Sequence, residues 1–304
     1  MTDRLESKSV TDADPSSEDR WPIKRLLSWT AERLAKRGME SPRLEAEVLL
    51  AHALGWERVR LYTRFDEEVG ARERATFREL IKRRLLDEPV AYLIGRKEFF
   101  SLSFDVSRSV LIPRPDSEFV VVAFIDAFKG EKNVRAVDVG TGSGCLALAC
   151  LNQHRNARFV ATDASEAALA TAESNAKKLK LNDRVEFRRG DLLAPVEDEE
   201  PFDAILSNPP YIPTAEIELL DPCVRDHEPR LALDGGADGL RVIERLISQA
   251  GPLLKSAGRL IFEIGAGQEP AVREIIERTA DLTWDRSIRD HAGIPRVAIA
   301  SRGG

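Results

Sequence analysis

Five short apolar runs, each closing on glycine, aspartate or asparagine, constrain this chain more than any other feature. They are "VRAVDVG" at 134–140, "ARFVATD" at 157–163, "RVEFRRGD" at 184–191, "FDAILSN" at 202–208 and "GRLIFEIG" at 258–265. Each is the length of a buried strand, and helical segments are expected between the first three pairs. "TWDRSIRD" at 283–290 and "PRVAIA" at 295–300 would close the sheet as a final pair, making seven strands. Such alternation folds as a doubly wound, mostly parallel α/β sheet of Rossmann-like type. Ligands of these sheets sit beyond the carboxyl ends of the strands near the switch point, so strand-end residues become the candidates.

The first strand runs into "DVGTGSGCLALA", where Gly140, Gly142 and Gly144 alternate with Thr141 and Ser143 and a helix opens at once. Glycine lets the chain turn tightly and lets a ligand lie against the backbone with no Cβ in the way. Alone this turn is a weak signal, but its GxGxG spacing disfavours a dinucleotide pyrophosphate. Asp163 ends the second strand, where its carboxylate can accept both ribose hydroxyls; the competing role is a cap for the helix "SEAALATAE", and the glycine turn beside it favours ribose. At the third strand end, Asp191 and Leu192 would flank an adenine, one polar and one apolar, and a capping role is equally open.

At the fourth strand end stands "SNPPYIP", residues 207–213. One proline where a ladder stops is punctuation. Two behind an asparagine suggest a carbonyl held rigidly outward, because neither proline donates a hydrogen bond and each fixes its own φ.

Composition sets limits on the rest. The chain has 304 residues, 43% of them hydrophobic, enough for two domains or one large one with a real core. The apolar run "FVVVAFIDAF" at 119–128 falls far short of the roughly 20 residues a membrane span needs, and the N-terminus has no apolar signal region, so cytoplasmic residence is expected. Cys145, Cys150 and Cys223 form no CxxC pair and the four histidines are scattered, which leaves little basis for a metal site or disulfide. A net charge of −6 argues against affinity built on duplex phosphates, although "RERATFRELIKRR" at 72–84 could meet RNA or an acidic partner if it is more than a solvated helix face.

Four regions are expected. Residues 1–20, with six acidic and three basic side chains and little apolar content, read as a disordered tail. Residues 21–88 read as a helical bundle: Ile23, Leu26, Leu27, Thr30 and Leu34 share one face, Ser41 and Pro42 open a second helix carrying Leu44, Val48, Leu49 and Ala53, and "ARERATFRELIKRRLL" completes it. Residues 89–113 alternate about a turn near Ser101 as a hairpin linker, and residues 114–304 form the α/β domain.

The glycine turn, Asp163 and NPPY together resemble the class I S-adenosylmethionine-dependent methyltransferases. In that superfamily NPPY marks enzymes that methylate a planar nitrogen, either an adenine amine or a glutamine amide. The lone pair of such a nitrogen is delocalised, so the site must hold the NH₂ group. The Asn208 side-chain oxygen and the Pro209 carbonyl would each accept one N–H, Pro210 would keep the turn rigid, and Tyr211 would pack over the amide plane. No strong general base is needed, since the proton becomes acidic only after transfer.

The helical N-terminal region, "EPVAYLIGRKEFFSLSFDV", "LIPRPDSE", "DVGTGSGCLALA", "SNPPYIP", "EPRLALDGGADGL" and "RDHAGIPRVAIA" narrow the resemblance to the bacterial peptide chain release factor N5-glutamine methyltransferases, over nearly the whole chain from Trp21. That resemblance implies S-adenosyl-L-methionine as cofactor, contacted by residues 140–144, Asp163, Leu192 and Asn208. It implies the glutamine of a class 1 release factor's GGQ loop as substrate, held by Asn208 to Tyr211 and gripped through the helical domain. It further implies Phe99 as a wall of the glutamine pocket, or else as hairpin core, and Arg114 beside the cofactor. A monomer without direct DNA binding is expected. Ile294 and Pro295 stand where polar residues are usual, and His227 where a tyrosine is usual. The rivals are an enzyme acting on glutamine in a large-subunit ribosomal protein, an adenine methyltransferase, which would need a basic, aromatic channel, and a non-catalytic translation-factor adaptor.

Overall fold

The structure, a computed structural model, describes residues 20–303; the acidic tail lies outside them except for Arg20. The chain divides into two compact units between Leu86 and Asp87.

The first unit is helical. α1 (Ile23–Lys36) buries Ile23, Leu26, Leu27, Thr30 and Leu34, the stripe its periodicity predicts. α2 (Pro42–Leu54) has Pro42 in its first turn and ends at Gly55, whose left-handed φ of 65° lets Trp56 N–H reach the Ala51 carbonyl at 2.9 Å. Ser41 occupies the N-cap position without a side-chain capping bond. The buried face of α2 differs from the expected one: Ala46, Glu47, Leu49, Leu50 and Ala51 are buried, whereas Leu44 is exposed. The cause is that α2 packs against α1 and also against α3 (Arg58–Thr63) and α4 (Ala71–Arg84), so its inner face is wider than a single stripe. The basic run of α4 is no simple solvated face either, because Phe77, Leu80, Ile81 and Arg84 are buried and Arg84 Nε donates to Glu45 at 2.7 Å.

The second unit opens with α5 (Val90–Ile94) and a hairpin, β1 (Arg96–Phe99) and β2 (Leu102–Asp105). The hairpin is shorter than the expected 89–113. Phe100 and Ser101 make the turn with φ of 49° and 61°, the double left-handed geometry that matches strand twist, and Phe100 N–H is tied to Glu118 Oε1 at 2.9 Å.

There follow α6 (Glu118–Ala127), β3 (Val134–Val139), α7 (Cys145–Gln153), β4 (Ala157–Asp163), α8 (Glu166–Lys178), β5 (Val185–Arg189), β6 (Phe202–Ser207), β7 (Ile212–Pro213), α9 (Pro222–Arg225), β8 (Asp234–Gly236), α10 (Arg241–Leu253), β9 (Leu254–Glu263), α11 (Glu269–Arg278), β10 (Leu282–Arg289) and β11 (Pro295–Arg302). The seven-stranded sheet has the order β10-β11-β9-β6-β3-β4-β5, parallel except where β11 pairs antiparallel with β9 and β10. Strand residues alternate between two cores. Ala136, Ala204, Leu206 and Ile261 pack with α6 and α7, while Val137, Ile205, Leu260 and Phe262 pack with α10 and α11. The expected helix between the third and fourth strands is replaced by a 3-10 turn at Ala194–Val196, since Pro195 and the acidic residues after it cannot offer an apolar helical face. Beyond the expected strands, β7 pairs with β8 and anchors the segment after NPPY to "DGG". The strand order reverses between β3 and β6, and their carboxyl ends open a crevice.

Candidate active site

A cavity of about 520 Å³ lies at that crevice, of the size usual for small-molecule sites. Its wall contains Gly140, Thr141, Gly142, Ser143, Asp163, Asp191, Leu192, Asn208 and Pro210, so residues expected from four separate strand ends meet in one place. A larger groove of about 680 Å³ opens among the starts of β3, β4 and β5. Several of its charges are already paired, Arg188 with Glu199 at 2.7 Å and Lys255 with Asp203 at 2.8 Å, and Arg184 donates to the Leu151 carbonyl at 2.9 Å.

The glycines of the turn do different jobs. Gly140, Gly142 and Gly144 all have positive φ, at 70°, 55° and 81°. A Cβ on Gly140 would meet no atom within 4 Å and would stand in the cavity, whereas a Cβ on Gly144 would come within 3.1 Å of Leu148 and 3.2 Å of Ala172. The space over Gly140 is therefore open, whereas the missing Cβ of Gly144 lets α7 pack on α8. Gly140 and Thr141 both donate N–H to the Thr162 carbonyl at 2.9 Å. Beneath the turn Asp138 accepts from Thr141 Oγ1 at 2.7 Å and from Ala147 N–H at 3.2 Å, and burial raises its carboxyl to about 6.

Asp163 Oδ2 accepts from Gly142 N–H at 2.9 Å and Oδ1 from Ser165 N–H at 2.8 Å. Burial raises its carboxyl while these two donors lower it. The helix cap is Ser165, whose Oγ accepts from Ala168 N–H at 3.2 Å, so Asp163 does not cap α8 directly. Each carboxylate oxygen retains a lone pair for a hydroxyl. Asp191 is exposed and paired with Arg245; Leu192, with φ of 49°, packs on the core of α10 and α11 and offers its carbonyl to Thr162 Oγ1 at 2.9 Å.

The NPPY turn is held by partners that local reading missed. Asn208 Nδ2 donates to Ser117 Oγ at 2.9 Å, Ser117 Oγ donates to Glu263 Oε2 at 2.5 Å, and Tyr211 O–H donates to Glu263 Oε1 at 3.0 Å. Ser117 and Glu263 are each 1% exposed. Burial raises the Glu263 carboxyl, opposed by the hydrogen bonds from Ser117 and Tyr211, and burial beside that carboxylate raises the Tyr211 phenol. Among the described residues no donor reaches Asn208 Oδ1 or the Pro209 carbonyl. Tyr211 does not line the cavity: its ring packs on the core and its carbonyl accepts from Gln268 Nε2 at 3.0 Å, which differs from the expected stacking over an amide.

Besides Tyr211, four expected residues are not in the cavity wall: Gly144, Pro209, which is buried, Phe99 and Arg114. Phe99 is buried, edge-on to Phe104 at 6.2 Å, and occupies the hairpin core and not the cavity wall. Its strand alternation turns it inward. Arg114 is drawn to Glu228 Oε1 at 2.6 Å, and Ile112 N–H donates to Glu228 Oε2 at 3.1 Å, so the cavity is lined by the neighbouring Pro113 and Ser117 instead. Next to Glu228, His227 meets Arg108 Nη2 at 3.0 Å. Ser117, Glu228, Glu263 and Gln268 were legible only as polar residues embedded in apolar or turn segments; an acid inside "LIFEIG" is the clearest such signal.

Residues 25–95 match the family model described as PrmC N-terminal domain, and residues 119–235 that described as Methyltransferase small domain. The chain is 40% identical to a release factor glutamine methyltransferase of Rhodopirellula baltica over 94% of this chain and 98% of that protein. It is 44% identical to one of Geobacter sulfurreducens over 91% and 95%, and 42% identical to one of Moorella thermoacetica over 92% and 98%. Among solved structures, the hMettl16 catalytic domain in complex with an MAT2A 3′UTR hairpin superposes with TM-score 0.55 at 18% identity, over 74% of this chain and 80% of that one. A methyltransferase from Pyrococcus furiosus gives 0.50 at 20%, over 73% and 98%. These two likenesses concern the fold.

Proposed function

The chain belongs to the release factor glutamine methyltransferase family, and from that premise we propose that it methylates the N5 side-chain nitrogen of the glutamine in the GGQ loop of class 1 release factors. The cofactor is S-adenosyl-L-methionine, which supplies an electrophilic methyl group. Gly140 to Gly144 would cradle it, with Asp163 on the ribose, Leu192 against the adenine and Asp191 at the adenine edge. The fit is supported by the open space over Gly140 and the two remaining acceptor positions of Asp163.

The observation that carries the substrate reading is Asn208 in the cavity wall at the end of β6, its Oδ1 taken by no donor among the described residues; the adjoining Pro209 carbonyl is likewise untaken, although Pro209 is buried and outside the lining. Each would accept one N–H of the glutamine amide. That holds the nitrogen while its lone pair turns out of conjugation. Transfer would form the N–C bond with the nitrogen lone pair as the methyl–sulfur bond breaks and its electron pair stays on the sulfur; one amide proton then leaves to solvent, so no histidine is required. Pro209 and Pro210 keep the turn rigid, and Tyr211 braces it from the core side. Residues 21–88 are assigned to gripping the release factor, and the enzyme is read as a cytoplasmic monomer without direct DNA binding. No helix among the described residues is long and apolar enough to cross a membrane.

Incubation with labelled cofactor and purified release factor, large-subunit ribosomal protein or DNA tests this. Label is expected on the release factor alone. If a release factor with its GGQ glutamine replaced still takes up label, the substrate reading fails.

A further inference from the structure

We propose that Glu263 is a positioning residue which, acting through Ser117, fixes the end of the Asn208 amide that faces the substrate. This rests on the transfer to an amide nitrogen proposed above.

The two ends of an asparagine amide are nearly the same size and opposite in hydrogen-bonding sense. Turned one way, Asn208 offers the substrate NH₂ an acceptor. Turned the other way it presents two N–H groups and repels it. Packing barely distinguishes these states, so a hydrogen-bond partner must. That partner is Ser117, at 2.9 Å, and a serine hydroxyl has a single proton to give. Glu263 Oε2, at 2.5 Å, takes that proton bond. Ser117 is then left as an acceptor toward Asn208, which forces the NH₂ end inward and the oxygen toward the cavity.

The chain of donors has a direction only because an ionised carboxylate cannot donate. A protonated Glu263, or a glutamine in its place, could donate to Ser117; the serine hydroxyl would then turn to Asn208 and draw the amide oxygen inward. The other carboxylate oxygen takes the Tyr211 hydroxyl at 3.0 Å, so one buried group holds both ends of the NPPY turn. Other groups bear on Glu263. Asp116 disfavours its ionisation; Arg296, bonded to Asp290 at 2.9 Å and 3.3 Å from Asp116, favours it. Arg114, paired with Glu228, acts on Tyr211, and the Cys145 thiol, pushed up to about 12 chiefly by burial, stays neutral. Glu263 itself is raised by burial, so protonation enters from the acid side.

The test compares wild type with Glu263→Gln, Ser117→Ala and Ser117→Thr, measuring kcat on the release factor across pH and cofactor affinity by calorimetry. Glu263→Gln should lower kcat at least about tenfold, the scale on which supporting groups act, while the cofactor Kd stays within about twofold. Wild-type kcat should fall as pH drops through the Glu263 transition, and this limb should vanish in Glu263→Gln and in Ser117→Ala. Ser117→Thr keeps the hydroxyl and should stay within about threefold of wild type. A wild-type rate with an unchanged acid limb in Glu263→Gln, or a wild-type rate in Ser117→Ala, overturns the proposal. Should Glu263→Gln fail to fold, the two serine variants decide. Absence of label in wild type would remove the substrate reading beneath; label in wild type with an unchanged variant removes only this inference.

Discussion

Asn208 and Ser117, 91 positions apart in sequence, are joined by a 2.9 Å hydrogen bond in which the asparagine donates. The bond commits the nitrogen of the amide to the protein and leaves its oxygen for the cavity. Replacing Asn208 by alanine should therefore cost kcat about 10²- to 10³-fold, the usual loss for one preorganised polar partner. The cofactor should still bind within about tenfold, because the glycine turn and Asp163 are untouched. Single-turnover methylation together with calorimetry separates the two; undiminished transfer would contradict the role given to Asn208.

Asp163 holds Gly142 and Ser165 through backbone N–H bonds of 2.9 and 2.8 Å. Asp163→Ala frees both donors and removes the proposed ribose acceptors, each a charge-assisted bond worth about 1.5–3 kcal/mol. Cofactor Kd should rise roughly 10²- to 10⁴-fold, measured by calorimetry.

Gly239 supports the NPPY turn from behind. A Cβ there would lie 2.3 Å from the Tyr211 carbonyl, at a φ of 77°. Gly239→Ala should lose about 1–3 kcal/mol in urea denaturation and lower kcat as well, although Gly239 does not line the cavity. Gly267→Ala is the control: its φ of 82° carries similar strain but its Cβ meets nothing within 4 Å. It should cost stability and spare kcat.

Asp138, raised by burial from 3.8 to about 6, gives a pH signature. A carboxyl raised in the folded state stabilises the fold fully below its unfolded value, and that contribution is lost as pH rises through about 6. A shift of this size corresponds to roughly 3 kcal/mol. Asp138→Asn keeps an acceptor for Thr141 and Ala147 and cannot ionise. The stability of wild type relative to the variant should fall by about that amount between pH 4 and 8, read by urea denaturation at several pH values.

Much of the architecture is written in local patterns. Alternation in "VRAVDVG" and "FDAILSN" specifies strands covered on both faces, because Ala136 and Val137 must point oppositely whatever surrounds them. The α1 stripe, the glycine turn and the rigid NPPY bend follow from periodicity and from φ restrictions that belong to single residues. Tertiary structure decided everything that depends on a partner remote in sequence. Leu44 is exposed because α2 meets several helices. Arg114 is turned by Glu228 and Phe99 by the hairpin core, and neither neighbour is visible in a short window. The sense of the Asn208 amide was likewise undetermined, since its two ends differ only in what they donate or accept. A local motif can place a polar group; only packing around Ser117 and Glu263 sets which of its atoms reaches the cavity.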